Sequence, residues 1–104
     1  MVSHPIHVKR NAYRGSDAKK RLKASTENRT AMKLETYINE LLKAQVAPVQ
    51  VYGYQEISSG TGVDYEVVRN LCFSIDCGNG GFTAIRNGLT VDQALDLAAK
   101  GEVG

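Results

Sequence analysis

The sequence predicts an α+β domain, mostly α, in which short helices flank a two-stranded β unit and a basic N-terminal arm leads in. Three observations carry that expectation. An amphipathic period begins near Asn28, two short apolar segments meet at a glycine turn between Tyr54 and Phe73, and an Asn-Gly pair interrupts the apolar stretch from Ile75 to Ile85.

A chain of 104 residues with 42% hydrophobic content supports one modest core, not two. The expected division is a basic, partly disordered arm over 1–25 and the domain proper over 26–104. Charge follows the same division, although the net value is only +2. Residues 1–33 hold nine basic side chains against Asp17 and Glu27, a surplus of seven, whereas residues 34–104 hold four against nine carboxylates, a deficit of five. A polyanion would therefore meet the N-terminal third first. No apolar run approaches the roughly 20 residues of a membrane span and no secretory h-region opens the chain, so a soluble, cytoplasmic protein is expected. Cys72 and Cys77 are too few for a disulfide framework, and their spacing fits neither a redox pair nor a zinc knuckle.

Within the arm, Val2, Ile6, Val8, Tyr13 and Leu22 show no sustained helical period. Ser16 can cap a short helical piece from Asp17 to Lys23, marginal alone for want of an apolar stripe. The first core helix is then read from Ala31, Leu34, Ile38, Leu41 and Leu42, with Glu35, Asn39, Glu40 and Lys43 on the other face. Ser25, Thr26 or Thr30 starts it and Pro48 stops it soon after Ala44. Val49-Gln50-Val51 is either a short strand or the extended entry to the next helix.

The twenty residues from Tyr54 to Phe73 resemble the helix-turn-helix family over their whole length. Ile57 matches the inward anchor of the first helix, and Ser58 the small residue that lets the second approach. Gly62 falls where the turn favours positive φ, and Val63 plugs the core behind it. Asp64 is placed as the N-cap of a second helix over about Tyr65–Ser74, expected to bury Val67, Val68, Leu71 and Cys72. Tyr65, Glu66, Arg69, Asn70 and Phe73 are left on its outer face. Gly60, inside the last turn of the first helix, departs from the pattern and costs about 1 kcal/mol relative to alanine.

Ile75 to Ile85, with Gly78-Asn79-Gly80-Gly81 at its centre, reads as a β-hairpin, the wing of a winged helix-turn-helix. The step Gly80-Gly81-Phe82, followed by Leu89-Thr90-Val91 and an apolar helix, resembles the wing and following helix of Rrf2-type regulators over about fifty residues. The cysteines that hold an iron–sulfur cluster in that family are absent, so the resemblance implies no cofactor here. Thr90 and Gln93 form a capping-box pattern, and Val91, Ala94, Leu95 and Ala98 share one side of a helix ending at Gly101, suited to core or dimer packing.

A helix-turn-helix implies double-stranded DNA as partner. Arg69 would pair with guanine and Asn70 with adenine, while Tyr65 touches a phosphate or a thymine methyl. Lys9, Arg10, Arg14, Lys19, Lys20, Arg21 and Lys23 would follow the phosphate backbone or a minor groove, with Arg86 past the wing as a further phosphate contact. A homodimer, built through the helix over 28–45 or the one over 91–100, would carry two such units. Glu66 and Asp64 on the recognition helix keep a second reading open: an interaction module that docks a protein or mimics DNA. No nucleophile, base or carboxylate pair assembles into a catalytic arrangement, and His4-x-x-His7 reads as part of the arm rather than as a metal site.

Overall fold

The computed structural model describes residues 2–72 and 80–101. Its class is α+β and mostly helical, with four helices and a two-stranded antiparallel sheet in an order compatible with a winged-helix layout.

Helix α1 runs Ala18–Ala44, ten residues longer at its start than the amphipathic period indicated. Asp17 caps it, its carboxylate accepting from the N–H groups of Lys19 and Lys20 at 2.9 and 3.2 Å. The expected caps are spent within the helix: Thr26 and Thr30 donate their hydroxyls to the carbonyls of Leu22 and Thr26, four residues back. With no breaker between Asp17 and Ala44, the marginal piece and the core helix merge into one rod about 40 Å long. The molecule measures 55 × 24 × 23 Å, and residues 12–23 are exposed.

The stretch expected to stand off as an arm instead begins by packing on this helix. Ile6 and Val8 are buried in the core. Their backbone is held by side chains of α1: Asn39 accepts from Ile6 N–H at 2.8 Å and donates back to its carbonyl, Glu35 accepts from Val8 N–H, and Asn28 accepts from Asn11 N–H at 2.6 Å. Glu35 and Asn39, read from sequence as the solvent face, serve as a substitute strand edge. Val2 completes the attachment by bridging to the sheet, its N–H on the Thr83 carbonyl and its carbonyl accepting from Ile85 N–H.

Strand β1, Val49–Gly53, pairs antiparallel with β2, Gly81–Ile85, in the register Val49↔Ile85 to Gly53↔Gly81. Of the hairpin expected over Ile75–Ile85, the second half is strand β2, whose partner among the described residues is β1; residues 73–79, which hold the first half and the Asn79 turn position, lie outside the described residues. Tyr52 and Phe82 face each other across the pair with ring centroids 5.5 Å apart. The Tyr52 hydroxyl donates to buried Gln45, whose amide donates on to the carbonyls of Ala47 and Ala84, so the polar atoms behind the sheet are satisfied.

β1 feeds directly into α2, Tyr54–Thr61, and a tight turn leads to α3, Tyr65–Leu71. Gly62 adopts φ 75°, the left-handed conformation that the turn demands. Ser58 donates to the Val63 carbonyl at 2.6 Å, while Thr61 accepts from Val63 N–H and donates to Ile57. Ile57 and Val68 are fully buried, as their positions required. α3 is shorter than expected: Cys72 is its C-cap, and Phe73 and Ser74 lie outside the described residues. Asp64 occupies the N-cap position, but its side chain makes no capping hydrogen bond. Tyr54 ties the unit together by donating its hydroxyl to the Cys72 carbonyl at 3.0 Å. Burial pushes the Cys72 thiol up to about 11, which leaves it protonated and unreactive at neutral pH.

α4, Val91–Ala99, opens with the expected capping box of Thr90 and Gln93 and rests against β1. Ala94 is buried, whereas Val91 and Leu95 are each 45% exposed. No helix among the described residues is long and apolar enough to cross a membrane.

Candidate nucleic-acid interface

α3 presents Glu66, Val67, Arg69 and Asn70 to the outside. Two of these assignments correct the sequence reading. Val67 is 38% exposed rather than buried, and Tyr65 turns inward, half-buried against the core. The buried stripe is Tyr65, Val68 and Cys72, three and four residues apart, which rotates Val67 out of the packed face. Arg69 reaches Glu66 at 3.8 Å, but both are exposed, so this ion pair holds the guanidinium weakly.

Asn70 and Leu71 sit where the basic residues converge. A groove of about 390 Å³ joins them to Lys9, Arg10 and Asn11. A second, of about 610 Å³, joins them to Lys19, Leu22 and Lys23 on α1. Among the described residues no carboxylate pairs with Lys9, Lys19 or Lys23, although Glu27 lines both grooves. The structure therefore gathers Lys9, Arg10, Lys19, Lys23 and Asn70 on one side of the molecule. They reach it by the length of α1 and by the anchoring of residues 6–11, neither of which the sequence pattern revealed.

Arg10 is the most constrained of these. Its guanidinium meets Glu35 at 2.7 Å and donates to the Val8 carbonyl at 3.2 Å. On Glu35, desolvation acts to raise the carboxyl, but it is outweighed by the hydrogen bond from Val8 N–H, by Arg10 and by the nearby His7, so the net shift is below the ordinary glutamate range. His7 Nδ1 lies 3.4 Å from the same carboxylate. Among the described residues no three His, Cys, Asp or Glu side chains gather as a metal would require.

The remaining predicted contacts lie elsewhere. Lys20 sits 5.9 Å above the ring of Tyr13. Arg21 lines a separate groove with Arg10 and Arg29 on the other face of α1, and Arg14 is exposed beside it in the chain. Arg86 is at the opposite end of the rod, its guanidinium donating to the Val46 carbonyl at 2.8 Å, more than 30 Å by helix rise from Lys19 and Lys23. It belongs to no common surface with them. Arg29, Leu22 and Glu35 were missed as contributors; the alternation Ile6-x-Val8, a strand period rather than a helical one, was the signal that could have brought residues 6–11 onto the domain.

Comparison of the chain with protein-family models, with curated proteins and with solved structures finds no match.

Proposed function

We propose that this protein is a small DNA-binding regulator of the winged helix-turn-helix type, acting in the cytoplasm as a homodimer. The observation that carries the reading is the placement of Lys9, Lys19 and Lys23, without ion pairs among the described residues, beside Asn70 on the outward face of α3. Support for the fold type comes from the α1-β1-α2-α3-β2 order, the β1–β2 pairing and the glycine turn at Gly62. In this arrangement α3 lies in a groove of the duplex, Asn70 and Arg69 face base edges, and the lysines of α1 and the N-terminal segment neutralise phosphates to either side. Lysines so placed offset the acidity of Glu66. Dimerisation through α4 supplies a second α3 and multiplies a weak single-site affinity.

Fluorescence anisotropy of a mixed-sequence duplex, titrated across salt concentrations, tests the reading. The wild-type chain binds with a steep salt dependence, and K19E/K23E flattens the slope of log K against log salt by about 1.8, the share of two phosphate contacts. Asn70→Ala weakens binding to a preferred sequence without changing that slope. Absence of binding by the wild type at low salt overturns the proposal. A second reading then takes its place, because Leu22, 70% exposed, forms with Val67 and Leu71 an apolar floor beside α3 suited to a protein partner.

A further inference from the structure

The basic character of α1 is not confined to the side that faces α3. Around the N-terminal half of the helix, Lys19, Leu22, Lys23 and Thr26 line the groove shared with α3, whereas Arg21, Ser25 and Asn28 line another, roughly 200° away around the helix axis. This second groove is an open surface concavity of about 710 Å³ between α1 and residues 10–13. Three arginines line it, Arg10, Arg21 and Arg29, and no carboxylate does. Arg29 has no part in the DNA-binding reading and Arg21 is set away from the α3 side, while Arg10 and Asn11 line both this groove and the one beside Asn70.

The three guanidiniums are held differently. Arg10 is fixed at the wall by Glu35 and the Val8 carbonyl, which occupy two of its five donors. Arg21 and Arg29 form no ion pair among the described residues, and they stand eight residues, about 12 Å, apart along the helix. Like charges set around one concavity raise its potential and leave planar donor forks unspent. Such forks match the oxygens of phosphate in a bidentate manner, which lysine cannot do. Tyr13 also lines the groove, with Lys20 5.9 Å from its ring centroid.

We propose that this arginine groove is a phosphate-binding site separate from the α3 face, taking the phosphate groups of a second nucleic-acid backbone or of a free diphosphate compound. The nucleic-acid source rests on the DNA-binding reading; the site itself does not.

Titration of the full-length chain with inorganic pyrophosphate, followed by NMR of the arginine Nε–Hε groups, tests the site without DNA. The expected result is a saturable shift of Arg10, Arg21 and Arg29, with Asn70 and the ammonium groups of Lys19 and Lys23 unmoved. R21Q/R29Q weakens the binding by about tenfold or more for each arginine lost. No saturation, or shifts spread evenly over all lysines and arginines, overturns the proposal. A second arm uses K19E/K23E, in which the α3 side is disabled, with a short duplex in place of pyrophosphate. Arginine shifts with the duplex assign the source to a nucleic-acid backbone; shifts with pyrophosphate alone assign it to a free phosphate compound. Failure of the wild type to bind duplex in the anisotropy experiment leaves the pyrophosphate result decisive.

Discussion

At Gly60, inside α2, helix propensity alone favours alanine by about 1 kcal/mol. The structure gives the reason for glycine: a Cβ there would run into the phenol of Tyr37, which packs from α1 against the core. Gly60→Ala is therefore expected to fall short of its propensity gain of about 1 kcal/mol, because the outer end of the half-buried Tyr37 side chain must move aside. In a Tyr37→Ala background the same change should stabilise by up to about 1 kcal/mol, because the obstacle is gone. Urea unfolding midpoints of the four proteins measure the difference, and an equal effect of the change in the two backgrounds would show the contact to be irrelevant. This contact is not legible in the sequence, since it joins residues on different helices. Gly62 is the opposite case: a turn between two apolar helices needs positive φ, and that requirement is local. Tyr65 and Val67 exchanged roles for an intermediate reason. Ranking by hydrophobicity chose both valines, but only spacing from Val68 and Cys72 could choose the tyrosine.

Among the elements, α4 is the least buried. It has its own cap and terminator, so its existence and bounds could be read from Thr90, Gln93 and Gly101 alone. Its apolar side is another matter, since Ala94 satisfies the body while Val91 and Leu95 remain half-exposed. Sedimentation equilibrium at micromolar concentration should give a dimer for the wild type and a monomer for Leu95→Asp, with unchanged helix content by circular dichroism. A monomeric wild type would remove the proposed dimer through α4. The helix over 28–45 is the weaker candidate, because its stripe of Ala31, Leu34, Ile38 and Leu42 is consumed by the core. α1 also marks the limit of pattern reading at this scale. Its first three turns lack an amphipathic stripe, so no period announces them; their helical state follows from the Asp17 cap and continuity with the packed turns behind.

Across the whole molecule, cohesion depends on how residues 2–11 are joined to everything else. Glu35 is central to that joint through Val8, Arg10 and His7, and its carboxyl is held below the ordinary glutamate range. A carboxyl depressed in the folded state contributes stability that is fully present above its unfolded value and is lost as pH falls through the lower folded value. Thermal unfolding between pH ~7 and ~3 should therefore show a loss of stability that Glu35→Gln makes shallower. A variant with an unchanged pH profile would deny Glu35 this role. The candidate interface was legible in its charge and in its turn, but the nearness of Lys9, Lys19 and Lys23 to Asn70 follows from this joint and from the length of α1. Neither is a local property of the sequence.

The bridge from Val2 to β2 also bears on how the chain is made. The partners of Val2, at Thr83 and Ile85, are synthesised some 80 residues after it, a delay of about 4–16 s on the ribosome. β1 waits for the same strand. During that interval α1 can wind locally, but Val2 and both tyrosines of the β1–α2 junction have no sheet to close against. The emerging chain thus carries an unfinished apolar surface until β2 arrives, and the arrival of that one strand closes the Val2 bridge and the β1 pairing together.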